Sequence, residues 1–308
     1  GPRLFCMDLI LLGTAAGGGF PQWNCWCPPC RVARTDPARA HPRTQSSAAV
    51  SADGKRWFLL NASPDVRLQL GLLNGQAPAG IRHVPVEGVV VTDAELDHTL
   101  GLALLREARQ LRLYATDAVL GVLREDSRLL PVTEAFSEVT VTRLSLDREV
   151  PLLYRDGTPS GLEVSAFSVA GDPPRFARRE EPGHTIGLML RDSKSGSRAA
   201  FVPGCGALDE TLLARLRGTD SLFIDGTFWD DAELVTLGIS DRSARQMGHV
   251  PVSGTDGSLA RLRDLPCRNR VYTHINNSNP MLLEDSLERR QVEAAGLLVG
   301  DDGMRFSL

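Results

Sequence analysis

The run Asp93-Ala94-Glu95-Leu96-Asp97-His98 gathers three carboxylates and one imidazole within six residues. It follows Val89-Val90-Val91, three β-branched residues of the kind that fill a buried strand. The C-terminal end of such a strand is where α/β folds place their chemistry. As a plain set of capping acids the run would need no histidine; as a ligand set it suits a metal ion. A second cluster, Cys25-x-Cys27-x-x-Cys30, brings three thiolates close enough to converge on one tetrahedral ion. Pro28 and Pro29 stiffen the loop that presents them. A sulfur-rich set favours zinc, with a fourth ligand from elsewhere, and such a structural ion contributes on the order of 10 kcal/mol to folding. The competing dithiol reading requires a CxxC pair that opens a helix within a βαβ unit, and no such helix is expected here.

Two further strands end in ligand-type residues. Ser221-Leu222-Phe223-Ile224 runs into Asp225-Gly226-Thr227, and Val271-Tyr272-Thr273 runs into His274-Ile275-Asn276-Asn277. Strand ends converge, so His98 and His274 are expected to meet Asp93, Asp97 and Asp225. His98, His274 and Asp97 would hold the metal and act as the catalytic residues, with Asp93 or Glu95 as a further ligand or orienter. Two imidazoles with carboxylates make up the facial set of non-haem Fe(II), which leaves positions open for oxygen and substrate. A hydrolytic zinc pair would want more imidazoles. The scarcity of histidine therefore tilts the chemistry from hydrolysis toward oxygen activation. Of the six histidines, His41 and His83 sit in polar loops and His184 is ambiguous. His249 is left over while the thiol triplet lacks a ligand, so pairing the two is one option by subtraction.

The elements that must position these residues are short. Asp8 to Leu12 reads as a strand running into Gly13-Thr14-Ala15-Ala16-Gly17-Gly18-Gly19, which lacks the Lys-Ser/Thr of a phosphate loop and the spacing of a dinucleotide fingerprint. Its glycines are expected to allow close backbone packing. A hairpin is expected over 43–61 around the 51–54 turn, then a short helix led by Pro64. Thr92 is expected to cap the helix that carries His98. The remaining reading is a loop over 74–86, strands at 111–115, 138–144 and 162–169, and helices at 118–124 and 209–216. A hairpin over 184–202 and a terminal hairpin near 297–308 complete it. The Pro/Arg-rich loop 171–183 is either a solvated surface or a lid that carries arginines toward an acidic substrate. The whole predicts two β-sheets face to face with helices outside, an α/β (α+β) arrangement in one domain over 1–308, with 20–31 as the Cys-rich zinc loop.

With 308 residues, 42% of them hydrophobic, the chain can bury a sizeable core. Its net charge of −4 and dispersed arginines argue against nucleic acid, and no stretch approaches the roughly 18 apolar residues of a membrane span. Gly1-Pro2 reads as a tag remnant. Three clustered and three isolated cysteines are no disulfide framework, so a cytoplasmic protein is expected.

The chain resembles the metallo-β-lactamase superfamily, whose His-x-His-x-Asp-His signature appears here as Asp93-Ala94-Glu95-Leu96-Asp97-His98 with the first two histidines replaced. It is more closely similar to the B family of pyrroloquinoline quinone (PQQ) biosynthesis proteins. The matching segments include 13–25, 43–47, 61–65, Asp97-His98-Thr99, Asp225-Gly226-Thr227, Met247-Gly248-His249 and 274–280, spread over nearly the whole chain. The resemblance implies an αββα sandwich and an Fe(II)- and O2-dependent hydroxylase acting on the tyrosine ring of a Glu–Tyr-derived precursor. It implies an active-site metal on Asp93, Asp97, His98 and His274 with Asp225 as a bridging carboxylate, and a structural Zn(II) on Cys25, Cys27, Cys30 and His249. Ser278 stands where threonine is expected, and Cys205 where the family carries no cysteine; a small buried residue is the favoured reading of Cys205. A zinc hydrolase and a non-catalytic carrier of the finished quinone are the alternatives. The oligomeric state is left open, a homodimer among the options.

Overall fold

The computed structural model describes residues 7–73, 78 and 80–308. Gly1-Pro2, Cys6 and positions 74–77 and 79 of the expected 74–86 loop lie outside the described residues. Fourteen strands are described. In chain order they are β1 (Asp8–Gly13), β2 (Ser47–Ser51), β3 (Trp57–Leu60), β4 (Val86–Val90), β5 (Gln110–Ala115), β6 (Glu138–Arg143) and β7 (Glu149–Leu153). Then follow β8 (Pro159–Ser168), β9 (Ile186–Asp192), β10 (Arg198–Val202), β11 (Ser221–Asp225), β12 (Asn269–Thr273), β13 (Leu298–Val299) and β14 (Arg305–Ser307). They form two seven-stranded sheets, ordered β14-β1-β2-β3-β4-β5-β6 and β13-β12-β11-β10-β9-β8-β7.

Side-chain alternation stacks the layers. Leu9 and Leu11 of β1, with Ala199 and Phe201 of β10, face a core shared by both sheets, alongside Phe58, Tyr114 and Phe223. Ile10 and Leu12 point the other way, into the apolar layer under the helices of the first sheet. Ala200 and Val202 do the same on the second sheet. Strands covered on both faces read as continuous apolar runs, which is why their sequences show little alternation. Helices outside two stacked sheets give the expected αββα layering.

At one end the two sheets are stitched together. Ala15 bridges both Gln45 and Ile275, and the Ile186 N–H donates to the Thr92 carbonyl at 3.0 Å. Gly13 is needed at this seam, because a Cβ there would lie 2.0 Å from the Gln45 carbonyl oxygen. Close packing is thus what the glycine-rich loop provides.

Four local expectations differ from the structure. No terminal hairpin forms, because β13 joins the second sheet beside β12 while β14 pairs with β1 of the first. Between them Asp302 turns the chain, its carboxylate accepting from the backbone and hydroxyls of Thr14 and Thr44 at 2.7–2.8 Å. A helix over Pro28–Thr35 follows Cys27, since a proline in the first turn presets the helical φ. Thr92 caps no helix; it is taken up by Asn61, whose amide donates to its hydroxyl at 2.9 Å. The segment expected as one helix over 118–124 is a helix over Asp117–Gly121 that relaxes into a wide turn over Val122–Asp126.

Candidate metal centre

The first half of the centre comes from the loop after β4. Asn61 accepts from the Thr92 N–H at 2.9 Å, which fixes where Asp93 leaves the sheet. The helical turn Leu96–Thr99 then lies against Ala62: the Ala62 N–H donates to the His98 carbonyl at 2.8 Å, and the Gly101 N–H to the Ala62 carbonyl at 2.9 Å. Only glycine fits at 101, since a Cβ would fall 2.4 Å from the Ser63 carbonyl. Backbone packing therefore sets the position of His98.

Its orientation comes from Asp93. Both carboxylate oxygens accept from His98 Nδ1, at 2.7 and 2.8 Å, and take further bonds from the Glu95 N–H and the Thr92 hydroxyl. Asp93 thus stands behind the imidazole, its oxygens engaged. His98 Nε2 is buried without a hydrogen-bond partner among the described residues, 3.5 Å from Asp97 Oδ2; with Nδ1 held by Asp93, it is the nitrogen that a metal would take in place of a proton.

The second half comes from the ends of the parallel strands β11 and β12. His274 has φ = 54°, a left-handed conformation uncommon for a non-glycine residue. It is held there by the Thr227 hydroxyl, 2.9 Å from the His274 carbonyl oxygen and 2.8 Å from its Nδ1. His274 Nε2 then lies 3.3 Å from Asp97 Oδ2, the same oxygen that His98 approaches. Asp225 accepts from Thr227 Oγ1 at 2.6 Å through Oδ1, and from His249 Nδ1 at 2.6 Å and the Cys205 N–H at 2.8 Å through Oδ2.

His249 is the main correction. It does not approach the thiols; its ring stacks on His274 with centroids 5.7 Å apart, and Asp225 orients it as Asp93 orients His98. The site therefore gathers three imidazoles, His98, His249 and His274, around Asp97. The carboxylates Asp93 and Asp225 hold imidazoles in place, with Asp225 also within ligand reach of His249 and His274. Glu95 begins the Leu96–Thr99 turn and borders the cleft.

The electrostatics of this cluster call for a cation. Burial alone would depress the His98 imidazolium, but Asp93 and Asp97 outweigh it and raise its pKa to about 10. Burial pushes Asp97 up, and the charges of His98 and His274 more than reverse that, holding its carboxyl well below the usual range. Glu95 is raised to about 7, first by burial and then by Asp93 and Asp97. A buried group of acids stabilising positive charge beside an orphaned imidazole nitrogen fits a divalent metal ion.

The thiol cluster fits one too. Cys25, Cys27 and Cys30 place their sulfurs within 4.8 Å of one another. The Cys27 thiol donates to Cys30 and pulls it down to about 6, so a thiolate forms there readily. Beside them stands Asn277: its carboxamide Nδ2 donates to Cys30 Sγ at 3.3 Å, and its main-chain carbonyl oxygen lies 3.4 Å from Cys27 Sγ. Asn277, and not His249, is thus the polar residue beside the thiols, its carboxamide donating to the sulfurs and its main-chain carbonyl oxygen within their reach. Its signal in the sequence was its spacing, three residues after His274 on the same loop. Cys205 is buried, pushed up to about 12 first by burial and then by Asp225, with its sulfur on the Ala207 carbonyl. It is a packed small residue, as expected.

Comparison with known proteins gives a consistent picture. Residues 56–275 match the family model described as a beta-lactamase superfamily domain. The chain is 45% identical to the Coenzyme PQQ synthesis protein B of Gluconacetobacter diazotrophicus, over 98% of this chain and 99% of that protein. Its fold matches the crystal structure of Zn(2+)-bound PqqB from Methylobacterium extorquens with a TM-score of 0.88, at 40% identity, covering 98% of this chain and 100% of that one. A diphosphatase of the PhnP family, 20% identical and covered to 98% on both sides, shares the fold with a TM-score of 0.68.

Proposed function

This chain belongs to the Coenzyme PQQ synthesis protein B family of the beta-lactamase superfamily, and on that premise we propose that it acts in PQQ biosynthesis as a metal-dependent oxygenase. The substrate in this reading is the Glu–Tyr-derived precursor, hydroxylated on its tyrosine ring. One atom of O2 enters the ring and the other leaves as water, with two electrons and two protons drawn from an external reductant and solvent. The observation that supports it is the convergence of His98 Nε2 and His274 Nε2 on one oxygen of Asp97, at 3.5 and 3.3 Å. Two imidazoles and one carboxylate are the donor set that suits Fe(II), and such a set would leave positions for oxygen and substrate.

His98, His274 and Asp97 would hold Fe(II), which when bound supplies the one-electron chemistry that ground-state oxygen requires. Asp93 fixes the His98 ring, and Thr227 fixes that of His274. His249, its Nδ1 held by Asp225, borders the cleft and would serve through its other nitrogen as a proton donor or acceptor for the substrate. Cys25, Cys27 and Cys30 with Asn277 would hold a structural zinc.

A second reading, hydrolysis on a zinc centre, gains from one observation: His249 raises the imidazole count of the cleft to three. Anaerobic loading with Fe(II), elemental analysis and oxygen uptake with a Glu–Tyr substrate separate the two. Substrate-dependent uptake and a product one oxygen heavier support the oxygenase. Iron retained without uptake, together with phosphodiester or thioester cleavage by the zinc form, overturns it in favour of the hydrolase. Tight PQQ binding with neither activity points to a carrier.

A further inference from the structure

The cleft in front of the imidazoles has two adjoining lobes. The larger, about 450 Å³, is bordered by the three histidines together with Asp172, Arg175 and Arg242. The smaller, about 400 Å³, is bordered by Gly17, Gln45, Glu95, Asp97 and again Arg175. Arg175 therefore faces both lobes.

Its loop, 171–183, is anchored rather than loose. Arg178 pairs with Asp126 and Arg179 with Glu125, while Phe176 and Ala177 pack on the apolar layer of the first sheet. Two of the loop's arginines are thus spent on the surface of the 122–126 turn. Arg175 forms no ion pair or hydrogen bond among the described residues, although it shares the walls of both lobes with Glu95. Arg242 likewise has no acidic partner among the described residues; its guanidinium donates to the Gln246 carbonyl. Two guanidinium forks without carboxylates, on the walls of a cleft that ends in a candidate metal centre, are suited to planar bidentate anions. Glu95 and Asp172 share those walls and would repel a doubly charged phosphate while welcoming an ammonium group. Interleaved acids and arginines match a zwitterion.

We propose that Arg175 and Arg242 form a two-point carboxylate clamp, with Glu95 and Asp172 receiving the ammonium, that selects an amino-acid substrate carrying two or more carboxylates and presents its ring to His98, His249 and His274. This rests on the oxygenase reading for the fate of the ring, but not for binding. The test is calorimetric titration of the zinc-loaded protein, idle toward oxygen, with the Glu–Tyr dipeptide and with its dimethyl ester. Arg175→Gln and Arg242→Gln should each weaken dipeptide binding about tenfold, or about 1.4 kcal/mol, and the double variant about a hundredfold. Arg175→Lys should recover part of the loss, and Arg178→Gln, on the far side of the loop, should bind as wild type. The diester should bind wild type no better than the dipeptide binds the double variant. Gln variants that bind normally, an equally tight diester, or no dipeptide binding to wild type would each overturn the clamp. With the iron-loaded protein the clamp predicts a raised KM at nearly constant kcat. Clamp-dependent binding with no oxygen uptake would sink the oxygenase and leave the clamp standing; turnover with an unchanged KM in both variants would do the reverse.

Discussion

At the scale of single residues, the centre is built from imidazoles whose rear nitrogens are each committed to an oxygen acceptor. Asp93 holds His98, Asp225 holds His249, and Thr227 holds His274. This arrangement fixes the tautomer of each ring and leaves the forward nitrogen free for a metal or a proton. It also separates the roles of two histidines that composition alone could not tell apart. His249→Ala is expected to keep its thiol-bound zinc, one equivalent by elemental analysis, while turnover falls about a hundredfold for loss of a positioned proton carrier. Loss of that zinc in the variant would return His249 to the thiols and undo the correction drawn above.

At the scale of elements, the two candidate metal sites are mechanically joined. His274 and Asn277 lie on one loop, and Asn277 touches both Cys27 and Cys30. A zinc drawn into the thiols would therefore brace the strained backbone of His274 from behind. Asn277→Ala should loosen the thiol zinc and also weaken metal binding at the His98–His274 centre by about tenfold, read by competition with a chelator. An unaffected second site would mean that the loop holds itself without the zinc.

The same loop is fastened from its other side by Glu233, which starts the short helix Glu233–Thr236 and bonds Ser278 and the Trp229 N–H. Burial raises Glu233 from its ordinary 4.5 to about 7. Between those values the folded protein binds more protons than the unfolded one, so stability falls as pH rises through the window. That contribution is complete below pH 4.5 and lost above about 7. Glu233→Gln should remove this slope and be more stable than wild type at pH 8 by on the order of 2 kcal/mol, with little difference at pH 4.5. Denaturant midpoints at the two pH values decide it; parallel pH profiles would show that Glu233 is ionised at little cost.

At the scale of the whole molecule, the sheets depend on one another through their shared core. Phe223 of β11 packs there against Phe306, which follows β13 into the opposite sheet, with ring centroids 5.0 Å apart. Phe223→Ala should cost about 3–5 kcal/mol, measured as a lower urea midpoint. Because the lost contact belongs to both sheets, far-UV and near-UV signals should still fall in one transition. Two separated transitions would show that the sheets fold as independent units and argue against a single domain. Among the described residues no helix is long and apolar enough to cross a membrane.

The sequence by itself determined the local pieces: which runs are buried strands, that ligand-type residues stand at the ends of β4, β11 and β12, and that three cysteines fall within six residues. Those features are written in hydrophobic period and in spacing, which act over a few residues. It also carried the family, because long specific segments survive along the chain. Only the tertiary structure decided partnership. Whether His249 meets thiols or Asp225, whether Asp93 faces a metal or backs an imidazole, and whether the last two strands pair with each other or with different sheets all depend on contacts between distant segments. Such contacts are fixed by how the two sheets stack and where their ends are stitched, and a linear pattern of residue types holds no record of that geometry.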